Sequence, residues 1–156
     1  MKTLKILTLT AVVAGFGVGF GMGNHAVAQE SKVMTVYKTP WCGCCTGWAE
    51  AMKKAGYQVK TVNMEDLSSI KQQSSVTEAL AGCHTAVYDG YILEGHVPMQ
   101  ALDKLLAERP DIAGIATPGM PSGSLGMGYS PDAKYTVYAF TTDTTKAPTV
   151  FYEAGK

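Results

Sequence analysis

The chain has 156 residues, with 13 basic and 13 acidic side chains and a formal net charge of zero. Its 46% hydrophobic content is typical of a globular protein and excludes a largely disordered one. Arg109 is the only arginine, and the lysines do not cluster along the sequence. A nucleic-acid partner is therefore not expected, because phosphate binding needs a concentrated basic face.

The first 28 residues have the pattern of a secretory signal peptide. Lys2 and Lys5 precede an uncharged apolar run over residues 6–20, and Ala26-Val27-Ala28 is a small-x-small cleavage site. Cleavage near Ala28 would leave residues 29–156 as a single domain, exported to the periplasm or secreted, with no membrane attachment. A retained membrane anchor is the weaker alternative, because the apolar run is short and rich in glycine.

Beyond the leader, the sequence predicts alternating strands and helices. A first strand is expected over 33–37, followed by the cysteine-rich turn, a helix that ends before Gly56, a strand over 57–63, a helix over 65–72 and a short turn or helix over 77–81. Asp89-Gly90 between two β-prone runs predicts a hairpin over 84–94 with a type I′ turn.

The second half of the chain begins with a helix that starts at Pro98 and stops before Pro110. Residues 112–131 are rich in glycine and proline and predict a long irregular loop carrying two methionines. Strands over 135–140 and 149–152 are expected to close the domain. The order of elements predicts an α/β protein with a thioredoxin-like mixed sheet and flanking helices, because a crossover helix separates the first two strands.

The four cysteines are the main indication of function. Cys42, Cys44 and Cys45 lie within four positions, and Cys83 is followed at once by His84. In an oxidising compartment, thiols form disulfides or bind metal. A purely structural pair of disulfides is disfavoured, because a bridge between the neighbours Cys44 and Cys45 has strained geometry.

The cysteine-rich turn is similar to the Trp-Cys-x-x-Cys turn of thioredoxin-like proteins. Cys42 and Cys45 occupy its two cysteine positions, and Cys44 stands where thioredoxins often carry proline. Cys83 stands just before the hairpin, where that fold usually places a cis-proline facing the turn. The helix N-terminus is expected to favour thiolates, which serve both as nucleophiles and as metal ligands. Four converging sulfurs would suit Cu(I) best and a four-sulfur zinc site less well.

Four sequence strings resemble the CopG family of exported copper-resistance proteins, long described as a domain of unknown function. They are Trp41-Cys42-Gly43-Cys44-Cys45 with Trp48, Cys83-His84-Thr85-Ala86, Glu94-Gly95-His96-Val97-Pro98, and Pro118-Gly119-Met120-Pro121 with Gly123-Ser124. The resemblance spans about residues 33–128. It implies a thioredoxin-like fold and a multinuclear copper cluster bridged by Cys42, Cys44, Cys45 and Cys83.

Further ligand candidates come from two histidines and two methionines. His84 follows Cys83, and His96 lies in a loop bounded by glycine and proline. Met120 and Met127 lie in the irregular loop, and their thioethers could cap Cu(I). Each has a structural alternative: a strand residue, a helix entry or an exposed loop.

The acidic residues offer no comparable site. Glu94 and Asp103 are interpreted as surface charges.

The sequence therefore predicts a periplasmic copper-binding protein. Its expected task is to hold Cu(I), or to cycle it with Cu(II) as a copper oxidoreductase, for copper resistance, with other periplasmic copper-handling proteins as partners. One alternative is a thiol–disulfide oxidoreductase that uses Cys42 and Cys45. The other is a copper chaperone.

Overall fold

The structure, a computed structural model, describes residues 32–156, so the predicted signal peptide over 1–28 lies outside the described residues. The described part contains seven strands, three α-helices and one 3-10 helix. Their bounds are β1 Val33–Lys38, α1 Gly43–Lys54, β2 Gln58–Asn63, α2 Ser68–Gln73, a 3-10 helix Glu78–Leu80, β3 His84–Tyr88, β4 Tyr91–Gly95, α3 Met99–Glu108, β5 Gly114–Thr117, β6 Tyr135–Phe140 and β7 Thr149–Ala154.

All seven strands form one mixed sheet in the order β2-β1-β3-β4-β5-β6-β7. The pairs β1–β2 and β4–β5 are parallel, and the other neighbours are antiparallel. Each parallel pair is connected through a helix, α1 in the first case and α3 in the second, as a parallel connection requires. The predicted thioredoxin-like α/β fold is confirmed.

Strand alternation gives the sheet two different faces. The first face packs against α1 and α3 and forms the main core, whose members include Met34, Val36, Leu93 and Ile115 of the strands, Trp48 and Met52 of α1, and Leu102 and Leu105 of α3. On the second face, Val76 and Leu80 cover Ala116 and Phe140. Lys71 of α2 also reaches this second face, where it contacts Glu94.

The hairpin prediction is confirmed in detail. Asp89 and Gly90 have φ angles of 51° and 84°, the left-handed pair that a type I′ turn requires. Gly56 follows the C-cap of α1 with φ of 96°, as expected for a glycine at that place. Pro98 is the N-cap of α3 rather than its first helical residue.

The larger differences from the sequence prediction concern α2 and the segment 112–131. The helix predicted over 65–72 begins only at Ser68, because the Asp66 carboxylate accepts hydrogen bonds from the backbone N–H and hydroxyl of Ser68. The loop predicted over 112–131 contains strand β5. All four residues of β5 are buried between β4 and β6, and this pairing adds to the strand preference of Ile115 and Thr117. Within residues 32–156, no helix combines the length and apolar character needed to span a membrane.

Candidate metal centre

The cysteine turn connects β1 to the first turn of α1. Cys42 is the N-cap of α1, and its Sγ accepts a hydrogen bond from the backbone N–H of Cys45 at 3.2 Å. Cys42 and Cys45 are joined by a disulfide, whereas Cys44 and Cys83 carry free thiols. The helix thus begins within the turn itself, earlier than its apolar pattern indicates, and all three cysteines lie at its N-terminal end.

Cys83 converges on this turn from the end of the loop before β3. Its Sγ lies 3.9 Å from Sγ of Cys44, which in turn lies 3.4 Å from Sγ of Cys42. Sγ of Cys45 lies 3.4 Å from the carbonyl oxygen of Cys83. The four sulfur atoms all lie within 4.8 Å of one another. The fold therefore brings Cys83 to the position that the sequence predicts for it.

His96 contacts the same sulfur from the end of β4. Its Nε2 lies 2.8 Å from Sγ of Cys83, and its Nδ1 lies 2.7 Å from the carbonyl oxygen of Leu125. A carbonyl only accepts, so Nδ1 carries the proton, and Nε2 directs its lone pair at the sulfur. The ring is fully buried, and this desolvation lowers the pKa of His96. A neutral imidazole held in this tautomer can accept the thiol proton or bind a metal ion.

His84 lies behind this pair, against α1. Its side chain is 0% exposed, its ring packs 4.5 Å from the Trp48 ring, and its Nδ1 lies 3.5 Å from Sγ of Cys83. Among the described residues, its Nε2 has no hydrogen-bond partner. Burial holds the pKa of His84 well below its usual value, and the nearby His96, Lys71 and Lys38 lower it further. The ring is therefore neutral and has a free nitrogen.

The pKa of the Cys83 thiol is raised, whereas a helix N-terminus is expected to lower the pKa of a thiol. Burial raises its pKa to about 12, and the adjacent Cys44 thiol adds to the shift, whereas Lys71 opposes it. Cys83 lies on the hairpin side of the site and not at the N-terminus of α1, so the helix dipole does not compensate for desolvation. Without a cation at the site, Cys83 is a neutral thiol.

The interpretation of Glu94 as a surface charge is wrong. Glu94 is 0% exposed and lies on the second face of the sheet, paired with Thr85 across the hairpin. It forms an ion pair with Lys71, a residue for which the sequence gives no indication of a functional role. The strand alternation around Leu93 could have placed Glu94 on the opposite face, but no sequence signal shows that α2 covers it. Asp103, by contrast, is exposed, as predicted.

Met120 and Met127 lie on the segment 118–134, which folds across the site. Gly119, next to Met120, forms a β-bridge with Gly82, next to Cys83. Gly126, next to Met127, packs so closely on α1 that an added Cβ would lie 2.7 Å from the Cys44 carbonyl oxygen. Met120 is 58% exposed and Met127 is partly buried. The glycines next to both methionines thus contact the segments that carry the cysteines, and the role of the two thioethers as ligands stays a prediction.

The donor set matches soft metal chemistry. Two groups of metal-binding side chains share Cys83, one made of the four cysteines and the other of Cys83, His84 and His96. Thiolate sulfur and imidazole nitrogen select Cu(I) and zinc over Mg²⁺ or Ca²⁺, and adjacent thiolates can bridge several Cu(I) ions. Of the two His84 nitrogens, Nδ1 faces Sγ of Cys83 at 3.5 Å and is the one placed to bind a metal ion there.

These features define a thioredoxin-like protein whose Cys-x-x-Cys turn has been extended into a centre of four cysteines and two histidines. Two solved structures, entitled "Copper resistance protein copG- Form 1" and "Copper resistance protein copG- Form 2", are similar to it. Form 1 is 34% identical with a TM-score of 0.72 and covers 81% of this chain and 100% of its own. Form 2 is 35% identical with a TM-score of 0.70 and covers 80% and 98%.

The chain therefore belongs to the CopG family of copper-resistance proteins. A family model described as "Protein of unknown function, DUF411" matches residues 80–127, which include both histidines of the site. No curated protein matches the chain.

Proposed function

We propose that this protein binds Cu(I) through Cys42, Cys44, Cys45 and Cys83 as a periplasmic copper-resistance protein. The single observation that supports this most strongly is the convergence of four sulfur atoms within 4.8 Å of one another. The resemblance to copper-resistance proteins over most of the chain is consistent with it. The periplasmic location rests on the signal-peptide pattern of residues 1–28.

Four thiolates are enough for one tetrahedral ion, but two of them come from adjacent residues. Cys44 and Cys45 are neighbours, so their sulfurs are better suited to different ions of a cluster than to one ion. We therefore propose a multinuclear Cu(I) cluster bridged by the cysteines. His96 and His84 would bind at the edge of the cluster next to Cys83. Met120 and Met127 would supply thioethers from the segment 118–134.

The disulfide adds a redox step to this function. Opening the Cys42–Cys45 bond takes two electrons and gives two thiolates. Cu(I) is too weak a reductant to open this bond, so the favourable step is the reverse: the two thiolates reduce two Cu(II) ions to Cu(I) and close the disulfide, while Cys44 and Cys83 keep their sulfurs for Cu(I). The protein would then act as a copper oxidoreductase as well as a copper store.

Anaerobic Cu(I) titration tests the proposal, with metal content measured by elemental analysis. Fully reduced protein should bind several Cu(I) ions per chain, and Cys83→Ser should lose them. Protein with the disulfide intact is the matched control, because only Cys44 and Cys83 keep thiols in it, and it should bind fewer Cu(I) ions than the reduced protein. Reduced protein given Cu(II) should form the disulfide while the Cu(II) signal in electron paramagnetic resonance disappears. Binding of one ion or none by the reduced protein would contradict the cluster.

The disulfide also favours a second candidate function, thiol–disulfide exchange at Cys42 and Cys45. Cys42 is partly exposed and Cys45 fully buried, which suits an attacking cysteine and a resolving cysteine. Cys44→Ala separates the two functions. Reductase activity that survives this substitution, in a protein whose native form binds no copper, would support the enzyme.

A copper chaperone is the third candidate. Transfer of Cu(I) from the loaded protein to a competing chelator would be fast for a chaperone and slow for a cluster.

A further inference from the structure

We propose that the buried Lys71–Glu94 ion pair is a positioning device that holds the Gly82–Cys83 segment so that the Cys83 thiol faces Cys44 and His96. The placement of the thiol is independent of copper, whereas its consequence for copper binding rests on the proposed function. Neither charged residue is among the sulfur and imidazole donors of the site. Both would act through Cys83.

The Glu94 carboxylate accepts hydrogen bonds from three donors. One oxygen accepts a hydrogen bond from the backbone N–H of Gly82 at 2.7 Å and pairs with the Lys71 ammonium. The other oxygen accepts from the hydroxyl of Thr85 at 2.6 Å. All three partners donate, so the geometry fits the ionised carboxylate. Glu94 therefore ties the residue before Cys83 to the second residue after it.

Lys71 completes the attachment from α2. Its Nζ donates to the carbonyl oxygen of Gly82 at 3.0 Å and lies 3.3 Å from the hydroxyl of Thr85. The N–H and the carbonyl of Gly82 are thus both bound by the two members of the ion pair. A backbone unit held at both polar groups cannot rotate without breaking a charge-assisted hydrogen bond. This fixes the direction in which the backbone continues from Gly82 to Cys83.

Consecutive residues at the end of β4 contact the segment on both sides. Glu94 binds Gly82, Gly95 packs on the same glycine, and His96 contacts the Cys83 sulfur. The backbones are so close that an added Cβ at Gly82 would lie 2.5 Å from Cα of Gly95. A shift of Gly82 would therefore move Cys83 away from Cys44 and His96 together.

A purely structural role for the pair is the alternative. Buried ion pairs are often no more stabilising than apolar residues of similar volume, because desolvation offsets their attraction.

Thioredoxin-like proteins normally have a proline at the position of Cys83, and the proline ring restrains the backbone there. A cysteine gives the backbone no such restraint. The ion pair offers the restraint that proline would otherwise supply.

The test measures thiol placement directly. In the double variant Cys42→Ala/Cys45→Ala, the disulfide between Cys44 and Cys83 is equilibrated in glutathione buffers, which gives the effective concentration of one thiol at the other. Adding Glu94→Gln should lower this concentration at least 10-fold. Adding Glu108→Gln, which breaks the exposed pair with Lys104, is the matched control and should change it less than twofold.

Lys71 supplies a second pair of variants. Lys71→Met should lower the effective concentration as Glu94→Gln does, and Lys71→Arg should restore most of it, because a guanidinium can still donate to Gly82 and Glu94. Urea unfolding is measured in parallel for each variant. If Glu94→Gln and Lys71→Met reduce stability but leave the effective concentration within twofold of the parent, the pair is only structural and the proposal is wrong.

Copper binding is then measured with all four cysteines present. Glu94→Gln should weaken Cu(I) binding at least 10-fold relative to Glu108→Gln. If the parent protein binds no Cu(I), the proposed function fails, but the glutathione equilibrium still decides the positioning role. If placement is lost and Cu(I) affinity is unchanged, Cys83 does not contribute to the copper site, and the consequence proposed for the pair fails.

Discussion

Cys83 and His96 are joined by a contact of 2.8 Å between a sulfur and an imidazole nitrogen, although Cys83 precedes the first strand of the hairpin and His96 follows the second. The pairing of β3 with β4 places both residues at the same end of the sheet, next to the first turn of α1. The other nitrogen of His96 binds Leu125, so this one ring connects the cysteines to the segment 118–134.

Replacing His96 should therefore affect both metal binding and stability. His96→Leu removes the acceptor at Cys83 and leaves the Leu125 carbonyl without its donor. We expect Cu(I) affinity to fall by about 10- to 100-fold, the range found for groups that orient or support metal ligands. The free energy of unfolding should fall by about 1–3 kcal/mol, because a buried acceptor loses its partner. Competition with a Cu(I) chelator and urea unfolding measure the two effects, and an unchanged affinity would make His96 a structural residue.

The position of the segment 118–134 over the site depends on close packing of Gly126 against α1. Gly126 has φ of 86°, and an added Cβ would lie 2.7 Å from backbone atoms of both Cys44 and Trp48. Gly126→Ala should destabilise the protein by about 2–4 kcal/mol, from the strain of the left-handed conformation and from displacement of the segment.

Gly128→Ala is the matched control for this substitution. Gly128 also has positive φ, 68°, but no atom lies within 4 Å of an added Cβ. It should show only the conformational strain, about 1 kcal/mol. Urea unfolding compares the two variants, and the histidine resonances report whether His96 keeps its contact with Leu125. Equal losses for the two alanines would mean that the close packing is unimportant.

Local sequence signals predicted the parts of the fold that depend on neighbouring residues. Asp89-Gly90 specifies its turn because both residues readily adopt a positive φ. Gly56 ends α1 because it also readily adopts a positive φ. Cys83 could be placed because its position relative to the hairpin is a feature of the fold. The ion pair of Glu94 and Lys71 could not be placed, because it depends on how α2 lies over the sheet.

Strand β5 was missed for a related reason. Ile115 and Thr117 favour a strand, but the strand is only four residues long and lies among glycines and prolines, so its pairing with β4 and β6 decides its conformation. An added Cβ at Gly114 would lie 2.1 Å from the carbonyl oxygen of Ile92, so the glycine that suggested a loop is needed for strand packing.

The two tryptophans should differ strongly in their contribution to stability. Trp48 is fully buried, and its Nε1 donates to the carbonyl oxygen of Val97 at 2.9 Å, whereas Trp41 is 70% exposed. Trp48→Phe loses this hydrogen bond and part of the packing on His84, so we expect a loss of about 2–3 kcal/mol in the free energy of unfolding. Trp41→Phe should change it by less than about 0.5 kcal/mol. Urea unfolding of both variants measures the difference, and similar values would contradict the assigned burial.

The raised pKa of Cys83 predicts slow alkylation. With a pKa of about 12, the thiolate fraction at pH 8 is about three orders of magnitude below that of an ordinary cysteine with a pKa near 8.5. Iodoacetamide should therefore modify Cys83 at least 100-fold more slowly in the native protein than in urea, as measured by mass spectrometry of the peptide that contains it. A native rate close to the unfolded rate would contradict the desolvated thiol.

The lowered histidine pKa values predict that the protein loses stability in mild acid. In the unfolded chain, His84 titrates near 6.5, whereas in the folded protein burial and the charges of Lys71 and Lys38 keep it neutral to much lower pH. As pH falls below about 6.5, the unfolded state takes up a proton that the folded state does not, so the free energy of unfolding decreases. The decrease continues down to the folded pKa, and above about pH 7.5 this histidine contributes no pH dependence. His96 adds to the effect in the same direction.

Comparison with a variant isolates this contribution. His84→Phe keeps an aromatic ring against Trp48 but cannot titrate, and the raised pKa of Glu94, which acts in the opposite sense at its own pH range, is present in both proteins. Between pH 6.5 and 5.5, the slope of unfolding free energy against pH should be smaller in the variant by up to about 1.4 kcal/mol per pH unit, the value for one proton. Urea unfolding at pH 7.5, 6.5 and 5.5 gives both slopes. Identical slopes would mean that His84 becomes protonated in the folded protein as readily as in the unfolded chain, and the neutral imidazole assigned to the site would then be wrong.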